Sequence, residues 1–170
     1  MECSPEILKK LAKLEIFSDF VEQTEENIRI LEKIALLLQV KNFVPNDMII
    51  QEGDFGDTLY ILYEGTVQVR RNTPSNEQFA VVNLKAGQNV FFGEVALIDN
   101  DKRSASVVAM ENCKILCLDG EQFQKLCEEE PVLGYRAITR IAKRIAASLR
   151  RSNKDMMTLY TALLDEVNGE

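Results

Sequence analysis

Between Gly87 and Ala109 lies a segment whose local preferences conflict with the short apolar runs on either side. Gly93-Glu94-Val95-Ala96-Leu97-Ile98 favours a short helix opened by glycine, and Asp99-Asn100-Asp101 breaks it ahead of Lys102-Arg103. A helix start set among strands presents backbone N–H groups with no intrahelical partner, and these attract an anion such as phosphate. Gly93 has no Cβ, so the backbone can approach closely there. Arg103, on the returning strand, can reach the same place and hold two anion oxygens in its planar fork. A bland arrangement of the same residues is an ion pair between Glu94 and Arg103 that staples the loop and binds nothing.

The rest of the chain offers little other chemistry. It contains no histidine, which removes the commonest general base and metal ligand. Its four cysteines, Cys3, Cys113, Cys117 and Cys127, form no C-x-x-C pair and are expected to be reduced thiols. No catalytic residue, metal ligand or cofactor is therefore expected, and an enzyme is not. A net charge of −7 disfavours a broad nucleic-acid surface. The longest apolar run, Ile34 to Leu38, is far below the roughly 20 residues of a membrane span. With no basic-then-apolar export signal at the N-terminus, the expected location is the cytoplasm, away from the membrane.

The elements that must position the segment can be read on both sides of it. Residues 1–40 read as helical: Ile7, Leu8, Leu11, Ala12 and Leu14 recur at helical spacing after Ser4-Pro5, and Ile28, Leu31, Ile34, Ala35 and Leu38 do so after the cap Thr24. Residues 41–120 change to short apolar runs broken by turns. Strands are expected at 48–50, 59–63, 67–71, 79–84, 106–109 and 114–118, with Thr73-Pro74-Ser75-Asn76 as a turn and Tyr60, Tyr63 and Phe79 in the core. This spacing implies an antiparallel barrel or sandwich. Residues 121–170 read as helices, one over 121–129 and a long one from Pro131. The fold class is α+β, an antiparallel β-roll (a jelly-roll-like barrel) flanked by N-terminal and C-terminal helices. At 170 residues the chain forms one domain with one ligand site.

Taken in order, Phe92-Gly93-Glu94-Val95-Ala96-Leu97, the tip Ile98 to Lys102, and Arg103-Ser104-Ala105-Ser106 resemble the phosphate-binding cassette of the cyclic-nucleotide-binding domain family. That family includes the regulatory subunit of cyclic-AMP-dependent protein kinase and the bacterial catabolite activator protein. Gln51-Glu52-Gly53-Asp54 with Leu59 to Val69 is similar to its glycine-turn hairpin, and Leu14-Glu15-Ile16-Phe17 to its apolar lead-in. Val44-Pro45-Asn46-Asp47 departs from it, standing where a glycine turn is usual. The resemblance implies a cassette over residues 92–106 and a ligand that is cyclic AMP, with cyclic GMP also compatible because Ser104 suits either. It implies that Glu94, with the Gly93 backbone, accepts the ribose 2′-hydroxyl and that Arg103 pairs the phosphate. Backbone amides near Ala96, Ser104 and Ala105 would complete the cradle, the Ser104 hydroxyl would add a donor, and Val95 stands with them among the ligand-binding residues. In the register of the bacterial activator, Ser148 falls where a hydroxyl meets the adenine amino group, with Leu149, Met156 or Tyr160 as competing apolar caps.

The resemblance further implies a sensor that moves its last helix to act on an effector protein. Leu133, Ile138, Ile141, Ile145, Leu149, Met156, Leu159 and Leu163 form a seam on that helix suited to packing on the barrel or to a homodimer. Arg136, Arg140, Lys143, Arg144, Arg150, Arg151 and Lys154 read as a solvated basic face, the alternatives being contact with an effector's acidic surface or modest nucleic-acid contact. The stretch from Leu159 to Glu170 is short and acidic, so no DNA-binding domain is expected in this chain. The competing function is a nucleotide-free scaffold that keeps the β-roll to bind protein.

Overall fold

The structure is a computed structural model that describes residues 4–73, 75, 77–99 and 101–169. Cys3, the turn residues Pro74 and Asn76, the cassette-tip residue Asn100 and Glu170 lie outside the described residues. Helix α1 (Pro5–Ala12) begins where the Ser4 hydroxyl accepts from the Ile7 amide, and a 3₁₀ segment (Glu15–Phe20) follows. Helix α2 (Glu25–Leu37) begins where Thr24 accepts from the Asn27 amide. Eight strands come next: β1 (Leu38–Phe43), β2 (Met48–Ile50), β3 (Leu59–Glu64), β4 (Thr66–Asn72), β5 (Gln78–Lys85), β6 (Phe91–Phe92), β7 (Ser106–Ala109) and β8 (Cys113–Leu118). The short helix α3 (Ala96–Asp99) interrupts them before β7, and α4 (Gly120–Glu129) and α5 (Pro131–Asn168) complete the chain.

The strands form two antiparallel sheets of four, in the orders β1-β8-β3-β6 and β2-β7-β4-β5. The first sheet lies between two cores, and the period of two along each strand divides its side chains between them. In β8, Cys113, Ile115 and Cys117 face the core between the sheets, while Leu116 and Leu118 face a second core beneath the helices. In β3, Leu62 goes to the first core and Leu59 and Ile61 to the second. Burial on both faces explains why these strands read as unbroken apolar runs. The helical core adds Phe17 and Phe20 of the 3₁₀ segment, Phe123 of α4, and Leu133, Ala137 and Ile141 of α5.

Four expectations need correcting. Leu38 belongs to a strand, not to the second helix: it pairs with Leu118, and that ladder takes the chain out of the helix that its apolar spacing would continue. Phe79 is 49% exposed rather than core, because β5 is an edge strand that pairs only with β4. The apolar seam of α5 divides, with Leu133 and Ile141 buried and Ile138, Ile145, Leu149, Met156, Leu159 and Leu163 exposed. Arg136, Arg140 and Arg144 leave the solvated face. Arg140 forks both carboxylate oxygens of Asp19, and Arg136 donates to the Asp19 carbonyl at 3.2 Å with its guanidinium over the Phe20 ring. Three arginines at four-residue spacing thus tie α5 to the 3₁₀ segment and, through Arg144, to the cassette. At the other edge of the helical layer, Lys33 and Arg29 of α2 hold Glu130 at the α4–α5 junction.

Candidate functional site

Strand β6 delivers the chain into the site. Tyr60 and Phe92 face each other across β3 and β6 with their rings stacked 5.4 Å apart, which fixes the point where the chain turns away at Gly93. Gly93 has a φ of +75°, and a Cβ there would lie 2.8 Å from Nη1 of Arg103 and 3.1 Å from the Thr58 carbonyl. Both the backbone angle and the close approach require glycine. The Leu97 and Ile98 amides then close on the Glu94 and Val95 carbonyls. The helix that results is shorter than the sequence suggests, beginning at Ala96 and lasting one turn. A single turn has little macrodipole, so the charge for an anion must come from a side chain.

That side chain is Arg103. Its backbone is fixed by a pair of hydrogen bonds, Arg103 N–H to the Asp54 carbonyl at 2.8 Å and Gly53 N–H to the Arg103 carbonyl at 2.9 Å. Its guanidinium donates to the Gly93 carbonyl at 3.1 Å and the Thr58 carbonyl at 2.8 Å, and sits 5.7 Å from the Tyr60 ring centroid. Burial raises the Tyr60 phenol above its ordinary value, against the opposing pull of Arg103. The approach is tight, since a Cβ on Gly56 would meet Nη2 at 3.1 Å. Among the described residues no carboxylate lies within ion-pair distance of Arg103. A half-buried guanidinium held only by neutral carbonyls keeps its full charge available to an incoming anion.

Glu94 does not pair with Arg103, as the bland arrangement would have it. Its carboxylate, 14% exposed, forms an ion pair with Arg144, whose Nε lies 3.0 Å from Oε1. Arg144 reaches across from α5, with its guanidinium 4.4 Å from the Phe91 ring centroid and a longer contact of 3.8 Å to Glu15. On the same face of α5, the hydrogen bond between Arg140 and Asp19 holds the Asp19 carboxyl below its ordinary value and pushes the Arg140 guanidinium above its own.

Two adjoining cavities flank the cassette. One, of about 350 Å³, is lined by Gly93, Glu94, Val95, Ala96, Arg103 and Ser104, with Asp101 and Lys102 at the tip. The other, of about 400 Å³, lies between the cassette residues Glu94, Val95 and Ser104 and the α5 residues Arg144, Ile145, Ser148, Leu149 and Ser152. The structure therefore brings Gly93, Glu94, Val95, Ala96, Arg103, Ser104 and Ser148 around two cavities that share Glu94, Val95 and Ser104 as lining. Ala105, half-buried, lines neither cavity, and Met156 and Tyr160 lie too far along α5 to do so. Sequence reasoning missed Arg144 and Ser152, and it missed Thr58 as the anchor of Arg103. The available signal for Arg144 was its place in the Arg136, Arg140, Arg144 series, whose spacing puts all three on one helix face.

The cyclic nucleotide-binding domain family model matches residues 40–130, a stretch that includes the cassette. The chain belongs to the cyclic nucleotide-binding domain family. The cAMP-dependent protein kinase regulatory subunit of Dictyostelium discoideum is 30% identical over 69% of this chain and 37% of its own length. The human cGMP-dependent protein kinase 2 is 39% identical over 56% of this chain and 12% of its own length. The domain therefore spans well under half of either relative. Among solved structures, the regulatory domain of Toxoplasma gondii PKA crystallised with cAMP superposes with a TM-score of 0.68 at 25% identity, covering 84% of this chain and 49% of that one. Among the described residues no helix is long and apolar enough to cross a membrane.

Proposed function

We propose that this domain is a sensor that binds cyclic AMP, with cyclic GMP as the competing ligand, and passes binding on through α5. The observation that carries the reading is Arg103, a charged group aimed into the cassette by two carbonyls and lacking a carboxylate among the described residues. The cyclic phosphate supplies that anion, and the Glu94 carboxylate accepts the ribose 2′-hydroxyl. The purine lies toward Ser148 in the cavity beside α5. The preference for the adenine nucleotide draws on the Arg103-Ser104-Ala105 run and on relatives named for cAMP, while cGMP-dependent protein kinases of several animals are relatives too and keep cyclic GMP in competition.

Transmission follows from Glu94. Its Oε1 is paired with Arg144 of α5, so a ribose hydroxyl on Glu94 shares one carboxylate with that helix and alters the pairing. A ligand that interacts differently with two positions of α5 shifts their populations. The exposed seam of Ile145, Leu149, Met156, Leu159 and Leu163 suits a homodimer through α5, and an effector protein reads the position of that helix.

Calorimetric titration tests the binding. Arg103→Ala should weaken cyclic AMP by about 2–4 kcal/mol, roughly 30- to 1000-fold, and unchanged affinity sinks the reading. If neither nucleotide raises the Tm of the wild-type chain, the β-roll is a protein-binding scaffold, since ligand at 100 times its Kd should add about 2.7 kcal/mol. Arg144→Ala tests transmission. It should leave affinity within about tenfold of wild type and abolish the ligand-dependent change in a spin-label distance between the β-roll and α5. A distance change that persists in the variant rules out this route.

A further inference from the structure

A third cavity, of about 310 Å³, lies among the N-terminal helices and shares no lining residue with the two beside the cassette. Its walls are apolar: Leu8 and Ala12 of α1, Phe20 of the 3₁₀ segment, and Ile28 and Leu31 of α2. Val21 and Ile28 remain 58% and 37% exposed at its edge. Lys9 and Lys13 also line it, one turn apart on α1. Neither has an ion-pair partner among the described residues, although the chain carries a net charge of −7. Lys10, between them in sequence, is engaged elsewhere and donates to the Ala86 carbonyl at 2.7 Å. Glu22 is the one carboxylate at the rim.

From this placement we infer that the groove is a binding site for a medium-chain aliphatic carboxylate, with its tail against Phe20, Ile28 and Leu31 and its head group between Lys9 and Lys13. The volume sits at the lower end of the range for small-molecule sites, about 300–1,000 Å³, which suits one unbranched chain rather than a ring system. Lys9, Lys13, Glu22 and Gln23 bound the apolar surface, so it does not broaden into the roughly 800 Å² per partner of a protein interface. The two lysines favour an anionic head over a neutral or cationic one. No residue of the groove lines the nucleotide cavities, so Arg103 forms no part of this site.

The test is calorimetric titration of the whole chain with octanoate and decanoate below their micelle concentrations. Burial of each added methylene should tighten binding about fourfold, so decanoate should exceed octanoate by roughly 15-fold. Lys9→Glu combined with Lys13→Glu should weaken decanoate by about tenfold and leave decanol unaffected, while Glu22→Gln should tighten decanoate. Ile28→Glu, placed at the exposed edge, should abolish binding of both, with circular dichroism confirming the fold. Arg103→Ala should leave decanoate affinity unchanged, which separates this site from the nucleotide reading. Binding that ignores chain length, equal affinity for decyltrimethylammonium, or loss of decanoate in Arg103→Ala would overturn the inference.

Discussion

The two walls of the nucleotide site are built in different ways. On the β-roll side, Arg103 is fixed by strand-like backbone pairs, by two carbonyls and by the close packing of Gly56 and Gly93. On the helix side, Arg144, Ser148 and Ser152 belong to a helix that is anchored up to Ile141 by buried apolar residues and arginine contacts, then exposes its side chains beyond Ile145. One wall is over-determined by many short-range contacts. The other rests on a few polar contacts at the edge of the core, and in the proposed sensor it is the wall that moves. A sensor needs both, a rigid grip for the charged part of the ligand and a movable surface that reports on it.

The comparison breaks most sharply at Gly93. An alanine there must adopt a positive φ and push its Cβ into Arg103 and the Thr58 carbonyl, so Gly93→Ala should weaken cyclic AMP by about 10- to 100-fold while the β-roll stays folded. Wild-type affinity by calorimetry would mean that the β-roll wall is more compliant than its packing suggests. On the helix wall a smaller effect is expected. Ser148→Ala should cost about three- to tenfold, the worth of one hydrogen bond, and a change confined to one of the two nucleotides would show which base the hydroxyl reads. No change with either nucleotide would hand the base to Leu149.

The smallest effect should be the pH dependence of the α5 anchor. The hydrogen bond from Arg140 holds the Asp19 carboxyl below its ordinary value. A carboxyl depressed in the folded state contributes stability above its unfolded value and loses that contribution as pH falls through the folded one. The Tm should therefore drop as pH falls from about 5 to about 3, and the drop should be shallower in Asp19→Asn. Parallel curves for the two proteins would show that this pair does not hold the helix.

Much of the architecture was legible because it rests on periodicity and turn residues. Met48 to Ile50, Ser106 to Ala109 and the start of α5 at Pro131 lie where the pattern places them. Leu38 and Phe79 show the limit of that reasoning. The same apolar residue extends a helix or begins a strand depending on what pairs with it, and an aromatic residue in a strand is buried only if a second layer covers it. At the site, the residues from Gly93 to Ser104 were visible because they are close in sequence and unusual in order. Arg144 was hidden by company, as one of seven basic residues on its helix: the four-residue spacing puts it on one face with Arg136 and Arg140, but only the packing of α5 shows that this face turns inward.

By itself the sequence determined the local chemistry: a glycine whose backbone must bend the wrong way for other residues, an arginine a few residues further on, and the hydrophobic periods that make the sheets and helices. The tertiary structure decided how charge is distributed among these groups. Whether Glu94 neutralises Arg103 or Arg144 depends on distances between elements far apart in the chain, and Coulomb and hydrogen-bond energies fall too steeply with distance for sequence spacing to rank such partners.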